Sequence, residues 1–281
     1  MTIKIVSDST CDLPEETINE MGISVIPLFI NIGEEGYLDG VDISREEFYT
    51  NLPNYADHPS TGTPGPEAIR QVYEELISEG ATEILSIHIS KSLSATVDMA
   101  ASAAKDIRQI PVSVLDSKQL SMGTGFQVET AARMALNGAK MSEIRSTLDD
   151  LARRTFVAAK LDTLEFLRRS GRMNAFMSGL GSVLQIKPIL TMKDGEPDSK
   201  RVRTSKKAEI SMVRMLEEQQ PIERFALLHT NAAKEAEAFR ARVSHLIPEG
   251  DVYSMDITPV IGAHVGPKAI GFAAASTSAG E

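Results

Sequence analysis

Cysteine is nearly absent from this sequence, since Cys11 is the only one among its 281 residues. A lone cysteine cannot form a disulfide within the chain, and no second cysteine is present to share a zinc ion. The zinc-binding pattern HExxH is missing as well. We therefore expect a cytoplasmic protein that has no disulfide and no metal site.

Long apolar runs are also missing, because no window approaches the roughly 18 apolar residues that favour a membrane span. The first residues, MTIKIVSDSTCD, lack a basic region followed by a long apolar run, so we expect no signal peptide. With 42% hydrophobic and 24% charged residues, the composition is that of a globular protein with a sizeable core. The length suits one large domain or two ordinary ones.

Acidic residues outnumber basic ones, and the formal net charge is −10. A negatively charged protein repels polyanions, so nucleic acid is not an expected partner. The segment 168–214 differs from the rest, because it has eleven basic residues against four acidic ones. This segment either forms a solvated helix face and a turn, or it binds an anionic ligand or an acidic partner.

The stretch Ile84–Met99 combines three signals that are typical of a ligand site. The β-branched run Ile84–Ile89 predicts a buried strand, a serine-rich turn follows, and an alanine-rich helix is predicted from Thr96. A helix N-terminus has unpaired N–H groups and a partial positive charge, so it attracts a carboxylate or phosphate. Serine is also a usual helix cap, and capping alone is the alternative role for Ser92 or Ser94.

Polar residues also follow two other predicted strands. Ser7–Thr10 come after the strand Ile3–Val6, and Asp116–Ser117 come after the strand Val112–Leu115. Strands that alternate with helices predict a parallel sheet, and such sheets bind ligands outside the carboxyl ends of their strands. Three polar strand ends therefore favour a ligand site over capping alone.

The second half of the chain has a different pattern, and we place the change near Arg154. The turn Asp194–Pro197 separates two strands that are expected to be antiparallel. We therefore predict an α/β fold with an N-terminal parallel-sheet domain, residues 1–155. The C-terminal α/β domain, residues 156–281, is predicted to contain a mostly antiparallel sheet.

Motifs of well-known catalytic sites are missing. The sequence has no GxSxG turn for a serine nucleophile, no P-loop lysine pattern and no GxGxxG after a strand. His264 lies between Gly262 and Gly266, a sterically open place where a histidine either forms structural hydrogen bonds or contacts a ligand. His88 alternates with apolar residues and is expected in the core. The motifs that are present in the sequence do not together supply a nucleophile, a base and a residue that orients the base.

A series of short motifs follows in one order along the chain: Ser7–Thr10, Thr61 before Pro64, Ser92–Thr96, Asp116–Ser117, Leu161–Leu164 with Gly171-Arg172, Lys187-Pro188 and His264–Pro267. In this order the motifs resemble those of the DegV family, the bacterial fatty-acid-binding proteins of the FakB type. The resemblance extends from about Ile3 to Ala275. The sequence departs from the family pattern at Gly62-Thr63, Ala95, Ser170 and Lys268, none of which removes a head-group contact.

The resemblance implies a two-domain DegV-like fold with a fatty acid bound between the domains. The residues that would hold the acyl carboxylate are Thr61, Ser94, His264 and Arg172. Further contacts to the head group or to a phosphate are expected from Arg203, Thr96 and Ser9. The candidate residues of the acyl tunnel are Phe29, Phe166, Phe176, Leu180 and Ile270.

Such a site is physically consistent with an acidic lipid as the ligand. A buried carboxylate needs hydrogen bonds and a counter-charge, which hydroxyls, an imidazole and a guanidinium supply. Each buried methylene contributes about 0.8 kcal/mol, so a long acyl chain contributes on the order of 10 kcal/mol before ordering costs are subtracted.

The resemblance also implies a carrier that has no catalysis and no cofactor of its own. It would bury a long-chain fatty acid and present the carboxylate to a separate fatty acid kinase, which would use ATP and Mg²⁺ to form an acyl phosphate. Contact with a membrane would be transient and serve lipid exchange, and the basic segment 168–214 would dock the kinase or steady the phosphate. Two alternatives stay open: an enzyme that acts on a small phosphorylated or hydroxylated substrate through Ser94 or His264, and a lipid-responsive regulator.

Overall fold

The computed structural model describes residues 2–176, 187–250 and 252–278 of the chain. Its strands, numbered in chain order, are β1 (Ile3–Asp8), β2 (Ser24–Ile26), β3 (Phe29–Ile32), β4 (Glu35–Leu38), β5 (Ser60–Gly62), β6 (Glu83–His88), β7 (Val112–Asp116), β8 (Thr155–Lys160), β9 (Lys187–Lys193), β10 (Glu196–Val202), β11 (Ile222–His229), β12 (Tyr253–Asp256) and β13 (Ile270–Ser276). Its α-helices are α1 (Glu15–Met21), α2 (Arg45–Asn51), α3 (Pro66–Ser78), α4 (Thr96–Asp106), α5 (Met122–Leu136), α6 (Met141–Arg154), α7 (Glu165–Arg169), α8 (Met173–Phe176), α9 (Ser205–Glu217), α10 (Ala233–Val243) and α11 (Pro259–Val265).

Four parallel strands form the first sheet, in the order β2-β1-β6-β7. Helices α3 and α4 cover one of its faces, where Ile69 and Tyr73 belong to one core cluster with Val6 and Ile84. The parallel sheet predicted from the alternation of strands and helices is confirmed. Because β1, β6 and β7 are adjacent and parallel, the polar residues that follow them lie at the same edge of the sheet.

Six strands form the second sheet, in the order β10-β9-β8-β13-β11-β12. Its neighbours pair antiparallel except β11 and β12, so the prediction of a mostly antiparallel sheet is confirmed. Helices α9 and α10 cover one face, where Met212 and Phe239 pack with Phe272. The sheet begins with β8 at Thr155. The division into two domains at residue 155 stays a prediction.

A third, small antiparallel sheet, in the order β4-β3-β5, is a feature that the sequence analysis did not predict. Pro27 ends β2 and separates it from β3, because proline cannot donate a ladder hydrogen bond. Gly33, with φ of 61°, then closes a hairpin between β3 and β4. This sheet matters for the site because β5 carries Thr61.

Helix α5 packs against both large sheets and is buried on almost every side. Its residue Phe126 shares a core cluster with Ile87 of the first sheet and Val157 of the second. A Cβ atom at Gly125 would lie 2.5 Å from the backbone oxygen of Cys11, so only glycine permits this close approach. None of the helices in the described ranges is long and apolar enough to cross a bilayer.

Two leucines that differ in burial test this description of the core. Leu148 on α6 has 0% of its surface exposed, and Leu136 at the end of α5 has 67% exposed. We expect Leu148→Ala to lower the free energy of unfolding by about 3 kcal/mol, because it leaves a cavity, and Leu136→Ala to change it by less than about 0.5 kcal/mol. Urea unfolding followed by circular dichroism measures both values, and equal losses would contradict the assigned core.

A candidate ligand cavity with a polar end

A cavity of about 430 Å³ is bounded by residues from both halves of the chain. Its volume lies in the range of about 300–1,000 Å³ that is typical of small-molecule sites. Most of the lining is apolar and includes Leu28, Leu93, Met99, Leu190, Met192 and Ile261. On the second sheet, Gly271 and Ala159 line the cavity as neighbours on paired strands. This lining suits an apolar ligand of small-molecule size.

Hydroxyl groups collect at one part of the cavity wall. Ser94 Oγ lies 2.8 Å from Thr96 Oγ1, and Thr63 Oγ1 lies 3.4 Å from each of these oxygens. Thr61 Oγ1 lies 3.0 Å from Nε2 of His264. Thr61, Thr63, Ser94 and His264 all line the cavity, so they can contact one ligand group. This chemistry suits an acceptor-rich group such as a carboxylate.

Arg172 supplies positive charge beside these hydroxyls. It lies between α7 and α8, and its Nε donates a hydrogen bond of 3.3 Å to the backbone oxygen of Leu93. Among the described residues that line the cavity, Arg172 is the one with a permanent charge. A guanidinium has five N–H donors in a planar arrangement, so donors besides Nε remain for a carboxylate or phosphate.

His264 is a neutral imidazole at physiological pH. Burial lowers its pKa to about 4, and the nearby charges of Arg172 and His58 act in the same direction. A neutral imidazole can donate from Nε2 to Thr61, which leaves the Thr61 hydroxyl hydrogen for a ligand. The site therefore combines one fixed cation with a neutral donor chain.

The helix α4 begins at this group of hydroxyls without a capping side chain. Its N-cap residue is Ala95, whose side chain has no acceptor, and Ser94 Oγ is 3.4 Å from the backbone nitrogen of Thr96. Ser92 is not the N-cap residue, whereas Ser94 Oγ accepts a long hydrogen bond from the first N–H of α4, so capping is one role of Ser94. The open N-terminus adds a partial positive charge for an anionic group.

Thr63 was missed by the sequence analysis, although a signal for it existed. Thr61 and Thr63 are two residues apart in an extended segment, and such residues point to the same side. The Thr61-Gly62-Thr63 pattern therefore contained the information that both hydroxyls face the cavity.

Asp8 organises the backbone beneath the site. Its Oδ1 accepts from the backbone N–H of Thr10 at 3.0 Å, and its Oδ2 accepts from the backbone N–H of Ile89 at 3.1 Å. Nδ1 of His88 lies 2.9 Å from the same Oδ2. Both Thr10 and Ile89 line the cavity, so one buried carboxylate fixes two of its walls.

Burial alone would raise the pKa of Asp8, but its hydrogen bonds and the charge of His88 outweigh burial and hold that pKa below its usual value. Ser86 Oγ lies 2.7 Å from Nε2 of His88, so Ser86, His88 and Asp8 are linked in the same way as the Ser-His-Asp triad of hydrolases. Ser86 is fully buried, however, and Tyr73 donates to it at 2.9 Å. No substrate can reach this serine, so the three residues act as a structural network.

Several residues predicted for the tunnel lie elsewhere, and each misses the cavity by one position. Ile270 points into the opposite core with Phe272, because its neighbours Ala269 and Gly271 line the cavity and side chains alternate along a strand. Phe29 contacts Gly62, while the preceding Leu28 lines the cavity.

Phe166 and Arg203 also lie outside the lining of the cavity. The Phe166 ring packs against Gly266 and lies outside the cavity lining, whereas the next residue, Leu167, is part of it. Arg203 is exposed at the end of β10, so it is not a wall residue of the cavity. Phe176 does line the cavity, and Leu180 lies outside the described residues.

The two remaining candidates are close to the site but not part of its lining. Thr96 is buried and contacts Ser94 and Thr63 through its hydroxyl. Ser9 accepts a hydrogen bond of 3.2 Å from the backbone nitrogen of Leu28. Both therefore support residues that face the cavity.

Comparison with known proteins places this arrangement in a family. Residues 2–277 match the family model described as "Uncharacterised protein, DegV family". A DegV domain-containing protein of Listeria innocua is 33% identical over 273 residues, which are 96% of each chain. The fold is similar to a structure described as fatty acid binding of a DegV family protein from Thermus thermophilus, with a TM-score of 0.89, 33% identity and coverage of 99% and 100%. It is also similar to a stearic acid-binding protein from Eubacterium ventriosum, with a TM-score of 0.86, 26% identity and coverage of 97% and 98%.

The role of Asp8 can be tested by removing its charge. In Asp8→Asn, an amide N–H₂ would face the N–H donors of His88 or Ile89, so we expect a loss of about 3 kcal/mol in the free energy of unfolding. The pKa of Asp8 is lowered in the folded state, so its contribution is present above about pH 4 and is lost at lower pH. The difference between the two proteins should therefore shrink in acid.

Denaturant unfolding at about pH 7 and about pH 3.5 measures this difference. Asp149→Asn is the matched control, because Asp149 is exposed on α6 and should change stability by less than about 0.5 kcal/mol. A difference that stays constant with pH would contradict the ionised state assigned to Asp8.

Proposed function

This chain belongs to the DegV family, and on that premise we propose that it binds a long-chain fatty acid in the cavity described above. The observation that carries the proposal is the position of Thr61, Ser94, Arg172 and His264 together on the wall of one largely apolar cavity. The acyl tail would occupy the apolar part, and the carboxylate would lie among the hydroxyls and the guanidinium.

The free energy of such binding has two separate sources. The tail gains about 0.8 kcal/mol for each methylene removed from water, which supplies most of the affinity. The carboxylate loses its hydration, and hydrogen bonds to Ser94 and Thr61 with the charge of Arg172 would offset that loss. A neutral His264 supports this arrangement because it supplies an N–H donor to Thr61 while Arg172 carries the positive charge.

The descriptions of two structural neighbours support the same ligand class. The Thermus thermophilus protein is described as binding a fatty acid, and the Eubacterium ventriosum protein is described as binding stearic acid. We extend that ligand class to this chain because its own cavity has a matching apolar part and a polar end.

We further propose that the protein is a carrier for a separate fatty acid kinase. An oxygen of the bound carboxylate would attack the γ-phosphorus of ATP held with Mg²⁺ by the kinase, and ADP would leave, which gives an acyl phosphate. This reaction would take place in the cytoplasm, where ATP is present. One observation supports a carrier over an enzyme: Ser86 of the Ser-His-Asp set is buried and accepts a hydrogen bond from Tyr73.

The basic segment 168–214 would dock the kinase. Arg203 is exposed in this segment, and α9 begins two residues later with Lys206 and Lys207 in its first turn. Basic residues at a helix N-terminus oppose the helix dipole, so an acidic partner surface would relieve an unfavourable arrangement. The net charge of −10 on the whole chain makes this local excess of positive charge distinctive.

A matched pair of serines tests the head-group site. Ser94 lines the cavity, whereas Ser92 is exposed in the same turn. We expect Ser94→Ala to raise the dissociation constant for oleate about tenfold, because a hydrogen bond to a charged group contributes about 1.5–3 kcal/mol. Ser92→Ala should change it less than about twofold.

Isothermal titration calorimetry of delipidated protein measures these constants, with thermal unfolding to check that both variants fold. Mass spectrometry of organic extracts from the purified wild type should show one fatty acid per chain. Absence of lipid together with no binding of added oleate would overturn the proposed function.

The kinase contact can be tested separately from lipid binding. Arg203→Glu should raise the KM of the kinase for the lipid-loaded carrier at least about fivefold, because a favourable charge contact becomes repulsive. Its affinity for oleate should be unchanged, since Arg203 lies outside the cavity lining. The control is Arg145→Glu, an exposed change on α6. Equal effects of the two reversals on acyl-phosphate formation would contradict a docking role for the basic segment.

A further inference from the structure

His58 precedes β5 and has an unpaired nitrogen close to the head-group residues. Its imidazole ring centroid lies 5.4 Å from that of Phe166. Its Nε2 is buried and has no hydrogen-bond partner among the described residues. Buried polar atoms are nearly always hydrogen-bonded, so an unpaired one requires an explanation.

His264 has the same property on its second nitrogen. Nε2 of His264 contacts Thr61, but Nδ1 is buried and has no partner among the described residues. A neutral imidazole has one N–H and one bare nitrogen, so in either tautomer one buried polar atom of His264 is unsatisfied. The two neighbouring imidazoles therefore each have a buried nitrogen that lacks a hydrogen-bond partner, and an added proton or ligand group could supply one.

The packing holds His58 in place. The Phe166 ring lies beside His58 and fills the space next to Gly266 where a side chain would otherwise project, and the Ala263 carbonyl of α11 also lies near His58. Gly266 has a φ of 75°, which also favours glycine at this position. His58 and the Phe166 ring therefore lie beside α11, the helix that carries His264.

The charges around the pair are mainly positive. Arg172 acts on His264, and Arg169 on α7 acts on His58. Glu165 is the acidic group of α7 near His58, but Arg168 pairs with it at 3.0 Å. On the side of β5, Thr61 faces His264 with an uncharged hydroxyl, and Asp57 directly precedes His58 in the chain.

Without ligand, these surroundings keep both rings neutral. Burial lowers the pKa of His58, the charge of Arg169 acts in the same direction, and the Ala263 carbonyl and Glu165 oppose them. The pKa of His264 is lowered by burial and by the charge of Arg172, and a protonated His58 would lower it further. An anion in the cavity would reverse the electrostatic part of both shifts, because negative charge favours the protonated imidazole.

We propose that His58 is a positioning residue of the head-group site and that, with His264, it takes up a proton when an acyl carboxylate binds. The proposal rests on the proposed function, since it concerns the same ligand. The added proton would give the pair a donor for its unsatisfied nitrogens and a second positive charge beside Arg172. His58 acts through His264 and is not assigned a direct contact with the lipid.

Proton uptake has a defined consequence for affinity. A ligand that raises the pKa of a protein group binds more tightly as the pH falls through the pKa of the complex, and the gain ends below the pKa of the free protein. One linked proton allows at most about tenfold in affinity per pH unit. We expect roughly threefold per unit between about pH 7.5 and about pH 5.5, because the histidines titrate only partly in this range.

Calorimetry of the full chain provides the test. Oleate and decyl sulfate are titrated into delipidated protein near pH 6.5, in buffers with different enthalpies of ionisation, which gives the number of protons taken up. Decyl sulfate is included because its head group does not titrate in this range. The variant is His58→Gln, and the control is His245→Gln, an exposed histidine just beyond α10.

The wild type and His245→Gln should take up the same fraction of a proton with both ligands. His58→Gln should take up less than about half of that fraction, and its affinity should change less with pH than that of the wild type. A purely structural role for His58 would lower affinity at every pH and leave the proton count unchanged.

Carbon-13 NMR of the histidine rings in the wild type gives a second measurement that does not depend on a variant. The pKa of His58 should rise when oleate is added. Equal proton uptake by the wild type and His58→Gln, or an unchanged pKa of His58 on binding, would overturn this inference while lipid binding stands. Failure of the wild type to bind either ligand would overturn the proposed function as well.

Discussion

The transfer of one carboxylate from water into a largely apolar cavity is the constraint on which the proposed site depends. An isolated ionised group in such surroundings is strongly disfavoured, so donors and positive charge must already be in position. In this structure Arg172 provides the permanent positive charge, and the hydroxyl groups of the cavity wall provide hydrogen-bond donors. Before a ligand binds, His264 adds a donor without adding a second buried cation, because its low pKa keeps it neutral.

The positions of these groups follow from the architecture of the two large sheets. Adjacent parallel strands bring their polar carboxyl ends to one edge, and α4 begins there with an open N-terminus. Asp8 fixes the backbone of Thr10 and Ile89 at this edge through hydrogen bonds from buried N–H groups. The second sheet and α11 then close the opposite side, which contributes His264 and most of the remaining apolar wall.

The sequence allowed sheet type and segment order to be predicted, because these depend on periodicity along the chain. Helix α6, Met141–Arg154, is an example, because its apolar residues Ile144, Leu148 and Leu151 recur at helical spacing. The face of a short strand was harder to predict. Ile270 and Phe29 each lie next to a residue that lines the cavity, because a shift of one position reverses the direction of a side chain. His58 has no local signal at all, since its surroundings are formed by α7 and α11, which lie far away in the chain.

The two sides of the cavity differ in how far they can deform. Where Gly271 lies beside Ala159, a Cβ atom at Gly271 would come within 2.6 Å of the Ala158 backbone oxygen, so this side is main chain held by the ladder of β8 and β13. Met99 and Met192 also line the cavity, and their unbranched thioether side chains can change rotamer at little cost. A kinked ligand and a straight ligand would therefore contact the same rigid surface on one side. The methionine side chains would change rotamer to fit either shape.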